Sequence, residues 1–162
     1  MSRLDSFIRR VEAQRACLNR AAELIRDLDG IVLELGLGNG RTYDHLRELL
    51  PDRDIYVCER QVAAHPDCVP PPERLILGDM RATLPAARAR FGDRVALAHF
   101  DAGSGDTVAN RALAAALTPH ILPLLCRGAV LVSDPPIDDA GLGALPLPEG
   151  VAPGRYHLYR RR

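Results

Sequence analysis

A glycine-rich turn between an apolar strand and a helix narrows the possible folds of this chain more than any other segment. Residues 31–42 read Ile-Val-Leu-Glu-Leu-Gly-Leu-Gly-Asn-Gly-Arg-Thr, so Gly36, Gly38 and Gly40 separate the strand from the helix. Glycines at this point let the backbone turn sharply and let a ligand approach without Cβ clashes. Because the following helix also offers free N–H groups, the segment predicts a ligand-binding strand–turn–helix unit.

Apolar strand-like runs alternate with helical segments through the middle of the chain. Pro85 is expected in or near the first turn of its helix, and Pro119 and Pro123 predict a break in the last helix. This alternation is typical of right-handed βαβ crossovers and of a parallel sheet with helices on both faces. Strands are predicted at 31–35, 55–58, 74–77, 95–100 and 129–132, and helices at 41–50, 81–91 and 107–126.

The two ends of the chain differ from this middle region. An apolar stripe at helical spacing predicts an N-terminal helix that starts at a capping box of Ser2 and Asp5 and stops near Gly30. A break near Gln14 would divide it into two helices. Residues 135–154 hold five prolines and four glycines, which excludes a long helix, and residues 155–161 predict an antiparallel edge strand.

We therefore expect a single α/β domain with a Rossmann-like three-layer sandwich, since 162 residues suffice for one core and little more. The sheet is predicted to be mostly parallel, with a C-terminal antiparallel edge strand and an N-terminal helix. Residues 1–29 would form a helical cap, 30–134 the binding core, and 135–162 the proline- and glycine-rich segment with the last strand.

The charged residues exclude several functions. Basic and acidic residues balance at 21 each, and every basic residue other than histidine is Arg, because the chain contains no Lys. A zero balance argues against a nucleic-acid binder or a membrane-surface protein, which need a basic excess. The missing Lys excludes a Schiff base, a Walker-type phosphate site and a lysine general base.

Cysteine use and hydropathy indicate a cytoplasmic protein. Cys17, Cys58, Cys68 and Cys126 lack the spacing of a zinc site and are expected to be reduced thiols. The apolar runs fall short of the ~20 residues that a membrane span needs, and the N-terminus lacks the apolar core of a secretory signal.

Acidic side chains follow three of the predicted strands. Glu59, Asp79 and Asp101 each stand where a strand ends, and Glu59 lies about 20 residues beyond the glycines. The carboxyl ends of the strands form the ligand crevice of an open α/β sheet. An acidic residue after the second strand is placed to accept hydrogen bonds from ribose hydroxyls. Each carboxylate alone is also consistent with a helix cap or a solvated turn.

With these motifs, residues 31–134 resemble the class I S-adenosylmethionine-dependent methyltransferases. The resemblance depends on Glu34-x-Gly36-x-Gly38-x-Gly40, Glu59, Gly78-Asp79 and Asp101. It implies S-adenosylmethionine as cofactor and makes 30–134 the cofactor-binding core. The glycine loop would lie against the methionine part, Glu59 would bind the ribose and Asp79 the adenine amino group. The implied cofactor-binding residues are Glu34, Gly36, Leu37, Gly38, Asn39, Gly40, Glu59, Arg60, Gly78, Asp79, Met80 and Asp101.

Three polar residues around the end of the fourth strand are the candidates for catalysis. His99 and Asp101 lie two apart and share a face of the strand, and His99 titrates in the range useful to a general base. Asp106 is either a substrate contact or a helix N-cap. A strand histidine is also often a satisfied core residue, and Tyr43 and Tyr156 are more distant alternatives.

Asp101 and Asp134, after the fourth and fifth strands, resemble the acidic metal ligands of catechol-type O-methyltransferases. Those enzymes carry an Asn after the second carboxylate and use a Lys as base. This chain has Pro135 at that position and no Lys. No metal site is therefore expected.

The resemblance predicts a methyltransferase, and we expect its acceptor to be a small molecule because little of the chain lies outside the cofactor core. The chain has little beyond the cofactor core to recognise an acceptor, so a site completed by a second subunit, in a homodimer or higher oligomer, is an alternative. No nucleic-acid or membrane partner is expected. Rival functions are a non-catalytic module that binds the cofactor or its demethylated product, and an NAD-dependent oxidoreductase. Arg41 stands where a dinucleotide motif has its third glycine, which disfavours NAD.

Overall fold

The computed structural model of the chain describes residues 2–162, which form one seven-stranded sheet with helices on both faces. The helices are α1 (Arg3–Leu24), α2 (Arg41–Leu49), α3 (Met80–Phe91) and α4 (Thr107–Ile121). The strands are β1 (Ile31–Leu35), β2 (Ile55–Glu59), β3 (Leu75–Leu77), β4 (Val95–Phe100), β5 (Leu125–Ser133), β6 (Leu142–Ala144) and β7 (His157–Arg161).

The strand order is β3-β2-β1-β4-β5-β7-β6, and the first five strands of this order are parallel. The chain moves outward from β1 to β3 and then returns to place β4 on the other side of β1. The carboxyl ends of β1 and β4 therefore flank the point at which the strand order reverses, where open α/β sheets bind their ligands. The predicted Rossmann-like α/β fold is confirmed.

The antiparallel end of the sheet differs in one respect from the prediction. β7 is antiparallel to β5 as expected, but it is not the outermost strand, because β6 pairs with its other side. β6 has only three residues, one of them Gly143. A strand this short carries no periodicity that a sequence pattern could reveal.

The helix boundaries follow local chemistry. Ser2 and Asp5 form the predicted capping box, and α1 continues through Gln14 without a break before it ends at Leu24, well short of Gly30. Pro85 lies in the second turn of α3, and α4 accommodates Pro119 before ending at Ile121. No helix within residues 2–162 is long and apolar enough to cross a membrane.

Two apolar layers cover the sheet. α3 and α4 pack Leu84 and Leu117 against one face, while α1 and α2 pack Leu18 and Leu46 against the other. Because side chains alternate along a strand, Glu34 of β1 points toward the α1 and α2 side, and its register partner on β4 is a histidine. This alternation buries polar groups beneath the glycine-rich turn.

Candidate functional site

The glycine-rich turn has a conformation that only glycine tolerates at two positions. Gly36 has a φ of 102°, and a Cβ there would lie 2.7 Å from the carbonyl oxygen of Asp101. Gly40 has a φ of 84°, and its Cβ would lie 2.8 Å from the carbonyl oxygen of Cys68. Gly38 faces open space, so a ligand can approach the turn at this residue.

A cavity of about 380 Å³ opens at the carboxyl ends of β1 to β4. It brings together most of the predicted cofactor-binding residues, namely Gly36, Gly38, Glu59, Arg60, Gly78, Asp79, Met80 and Asp101. The sequence reasoning missed Gln61, Ala63, Arg81, Ala102, Gly103, Leu113 and Leu117, which also line it. The two leucines come from the buried face of α4, which a sequence pattern assigns only to the core.

Glu59 closes one side of this cavity by bonding to the glycine-rich turn. Its Oε2 accepts hydrogen bonds from the backbone N–H groups of Leu37 at 2.7 Å and Gly38 at 3.1 Å. Its Oε1 accepts from the N–H of Arg60 at 2.6 Å. The carboxylate thus stabilises the conformation of the turn while it lies at the wall of the cavity.

Asp79 is the N-cap of α3 and accepts a hydrogen bond from the N–H of Arg81 at 2.9 Å. The helix-cap alternative is therefore realised, although Asp79 still lines the cavity beside the buried Met80. One cap bond leaves carboxylate lone pairs available to a ligand.

A second, smaller cavity of about 110 Å³ lies between α1 and the glycine-rich turn. It shares Gly36, Gly38 and Asp101 with the larger cavity. The other lining residues are Phe7, Arg10, Val11, Gln14, Leu37, Asn39, Arg41 and Thr42. Asp101 therefore lies at the junction of the two cavities, which places it at the centre of the candidate site.

Both oxygens of Asp101 accept hydrogen bonds from α1. Oδ1 accepts from Arg10 Nη2 and Oδ2 accepts from Gln14 Nε2, each at 2.7 Å. Burial opposes the charge of Arg10, but Asp101 and Asp134 outweigh it and raise the arginine pKa. The sequence reasoning missed Arg10 and Gln14, because a helical stripe does not reveal which polar residues reach a strand end 91 and 87 residues away.

His99 does not reach either cavity, which corrects the expectation that it meets a substrate directly. It is fully buried, with Nδ1 2.8 Å from Glu34 Oε2 and Nε2 2.7 Å from the hydroxyl oxygen of Tyr156. Tyr156 in turn accepts a hydrogen bond from Gln14 at 2.9 Å. His99 is therefore a buried core residue whose two ring nitrogens both have hydrogen-bond partners.

The remaining predicted residues support the turn or cap a helix. Glu34 is fully buried and accepts a hydrogen bond from the hydroxyl of Thr42 in α2, so it supports the turn from below. Asp106 is the N-cap of α4, where it accepts hydrogen bonds from the N–H groups of Val108 and Ala109, and it lines neither cavity. Tyr43 also lines neither cavity.

The position between the two carboxylates considered as metal ligands is taken by a guanidinium. Arg10 donates from Nη2 to Asp101 and from Nε to Asp134, the latter at 3.1 Å. Within residues 2–162, no three His, Cys, Asp or Glu side chains are grouped closely enough to hold a metal ion. The cation between Asp101 and Asp134 is thus the guanidinium of Arg10.

Comparisons with known proteins agree with this geometry. No curated protein matches the chain. The crystal structure of an S-adenosyl-L-methionine methyl transferase from Silicibacter pomeroyi DSS-3 is 49% identical, with a TM-score of 0.96 over 100% of this chain and 99% of that chain.

More distant structures share the fold. Cofactor-bound Rv0187 from MTB is 20% identical, with a TM-score of 0.60 over 98% of this chain and 88% of that chain. Human methyltransferase-like protein 13 in complex with SAH is 16% identical, with a TM-score of 0.58 over 91% and 78%. A family model described as S-adenosyl-L-methionine methyltransferase matches residues 1–161. The chain therefore belongs to the S-adenosyl-L-methionine methyltransferase family and uses S-adenosylmethionine as its cofactor.

Proposed function

We propose that the larger cavity binds S-adenosylmethionine and that the acceptor is a small molecule that approaches from the α1 side. The observation that carries this proposal is the position of Asp101, at the junction of the two cavities and beside the open face of Gly38. A cofactor that extends along the larger cavity has one end at this junction, and a second molecule in the smaller cavity meets that end.

The side chains around the larger cavity match the chemistry of the cofactor. Its adenine amino group and ribose hydroxyls are hydrogen-bond donors, and its sulfonium is positively charged. Glu59, Asp79 and Asp101 supply acceptors and negative charge. We assign Glu59 to the ribose, Asp79 to the adenine amino group and Met80 to the adenine ring, with the glycine-rich turn against the methionine part.

The proposed mechanism depends mainly on alignment. When bound, the cofactor would supply an electrophilic methyl group on a sulfonium, and the sulfur would leave as a neutral thioether. The chain's contribution is to hold the acceptor in line with that methyl group, an effect worth on the order of 7–11 kcal/mol. Asp101 can orient an acceptor at this place, because Arg10 and Gln14 fix both of its oxygens.

Of the three predicted catalytic residues, only Asp101 is retained in this proposal. His99 and Asp106 line neither cavity, so neither is assigned contact with the acceptor. His99 is assigned a positioning role instead, through Tyr156 and Gln14 to Asp101.

Titration calorimetry with S-adenosylmethionine, with its demethylated product and with NAD tests the binding assignment. We expect heat with the first two ligands and none with NAD. A search of small-molecule pools for methylated products then separates an enzyme from a binding module. Failure of S-adenosylmethionine to bind would contradict the proposed site.

We further propose that the chain is one functional domain, that it works in the cytoplasm, and that its site is completed in a homo-oligomer. All seven strands belong to one sheet, and all four cysteines are free, as a reducing compartment favours. Leu4, Phe7 and Ile8 of α1 have exposed apolar side chains, and Phe7 lines the smaller cavity, so an apolar surface is available for a second subunit. Sedimentation that finds only monomer would contradict the shared site.

A further inference from the structure

Two carboxylates stand side by side at the ends of β4 and β5. Phe100 and Ser133 are register partners at the ends of their strands, and an aspartate follows each of them, Asp101 and Asp134. Both side chains are mostly buried, with 21% and 25% of their surfaces exposed. Two carboxylate charges with this little solvent around them repel each other, and a cation between them offsets that repulsion.

The chain supplies that cation from α1. The guanidinium of Arg10 lies 2.7 Å from Asp101 Oδ1 and 3.1 Å from Asp134 Oδ1. One turn further along the same helix face, Gln14 donates to the other oxygen of Asp101 and to Tyr156. Four hydrogen bonds from two residues thus fix α1 to the carboxyl edge of the sheet.

The position of α1 determines the shape of the smaller cavity. Phe7, Arg10, Val11 and Gln14 recur at helical spacing and form the wall of this cavity opposite the glycine-rich turn. Any shift of this part of α1 moves that whole wall. The same shift breaks the hydrogen bonds from Arg10 and Gln14 to the two oxygens of Asp101, which lies where the two cavities meet.

We propose that Arg10 is a positioning residue for methyl transfer, an internal cation that fills the place of a divalent metal between Asp101 and Asp134 and fixes α1 as the wall of the acceptor cavity. The inference rests on the proposed function, which places the acceptor in that cavity. An ordinary surface ion pair would stabilise neither the cavity wall nor the pair of carboxylates.

The first test asks whether loss of the guanidinium creates a metal site. Carboxylate oxygens are suitable ligands for Mn²⁺. The melting temperature of the Arg10→Ala variant should therefore rise when Mn²⁺ is added, and electron paramagnetic resonance should detect the bound ion. The wild type and Arg9→Ala, which removes an exposed arginine next in sequence, should not respond. The double variant Arg10→Ala, Asp134→Asn should lose the response.

The second test measures hydrogen exchange along α1. Arg10→Ala should accelerate exchange of amides 6–14 by about tenfold or more, since charged hydrogen bonds are lost, while β1 and β4 keep the exchange rates of the wild type. A substitution that only lowered the overall stability would accelerate exchange in α1, β1 and β4 alike. Arg10→Gln, which keeps a polar side chain, provides the same two measurements if Arg10→Ala does not fold.

A folded Arg10 variant with neither a Mn²⁺ response nor faster exchange in α1 would overturn the proposal. The two readouts need no cofactor, so they are independent of the proposed function. Calorimetry of the wild type with the demethylated cofactor tests that function separately. If the wild type did not bind the demethylated cofactor, the proposed function would be overturned. The Mn²⁺ and exchange results would still test the role of Arg10 in holding α1.

Discussion

The imidazole Nε2 of His99 lies 2.7 Å from the hydroxyl oxygen of Tyr156, and both side chains are completely buried. Burial, reinforced by the charge of Asp101, raises the pKa of Tyr156 well above its ordinary value of 10.0, so the phenol keeps its proton. Through Gln14 this pair connects to Asp101, and through Nδ1 it connects to Glu34. Polar groups from four distant parts of the sequence therefore meet under the candidate site.

Replacement of Tyr156 by Phe should destabilise the protein although it removes one oxygen only. His99 and Gln14 would each lose a buried partner, at about 1–3 kcal/mol for each unsatisfied group. The free energy of unfolding should fall accordingly, with a decrease in melting temperature of about 2–4 °C per kcal/mol at this chain length. The matched control is Tyr43→Phe, since no hydrogen bond of the Tyr43 hydroxyl is present within residues 2–162. Equal effects of both substitutions, measured by urea denaturation, would contradict the role given to Tyr156.

The sequence predicted the lining of the larger cavity better than the α1 wall of the smaller cavity. Gly36, Glu59 and Asp79 are recognisable because each follows a strand at a spacing that the parallel sheet itself imposes. The partners of Asp101 come from α1, and their choice depends on how that helix packs across the sheet. His99 was expected at the cavity because period-2 alternation identifies the face of a strand, but alternation does not reveal how deeply a neighbouring helix buries that face.

Glu59→Ala should weaken binding of S-adenosylmethionine by about 1.5–3 kcal/mol, the range for a hydrogen bond to a charged group. The substitution removes the proposed ribose contact and also the acceptor for the N–H groups of Leu37 and Gly38. Glu48→Ala, an exposed residue of α2, is the control. Titration calorimetry measures both, and an unchanged affinity for Glu59→Ala would refute the ribose assignment.

Alanine should be tolerated very differently at Gly36 and Gly38. At Gly36 the new Cβ meets backbone atoms of Asp101 and Ala102 at a φ of 102°, so folding or cofactor binding should be lost. At Gly38 the φ of 53° lies in the left-handed region and the surrounding space is open, so the cost is limited to roughly 1–2 kcal/mol. Melting temperatures and calorimetry of the two variants make the comparison; a Gly36→Ala protein as stable as Gly38→Ala would show that the turn can rearrange.

Alkylation should divide the four free cysteines into two slowly and two rapidly reacting residues. Burial raises the pKa of Cys17 to about 11, and burial with the charge of Glu59 raises that of Cys58 to about 12. Because the thiolate is the reactive form, neither should react with iodoacetamide in the folded protein near pH 8. Cys68 and Cys126 are partly exposed and should be labelled first, although burial also raises the pKa of Cys126 and slows its reaction. Mass spectrometry before and after denaturation counts the labels, and early modification of Cys58 would mean that β2 opens easily.

The buried pair of His99 and Glu34 should make stability depend on pH with a definite sign. Burial alone lowers the pKa of His99, but the facing Glu34 carboxylate outweighs it, through its charge and a hydrogen bond, and raises the pKa above the ordinary value of 6.5. The folded protein then binds a proton more tightly than the unfolded chain. The pair's contribution is therefore complete below pH 6.5 and is lost as the pH rises through the higher folded-state pKa. Denaturation of the wild type and of His99→Asn across this range isolates the contribution, because the other histidines are common to both proteins. If the stability difference between them instead increased with pH, burial would dominate and His99 would be neutral in the fold.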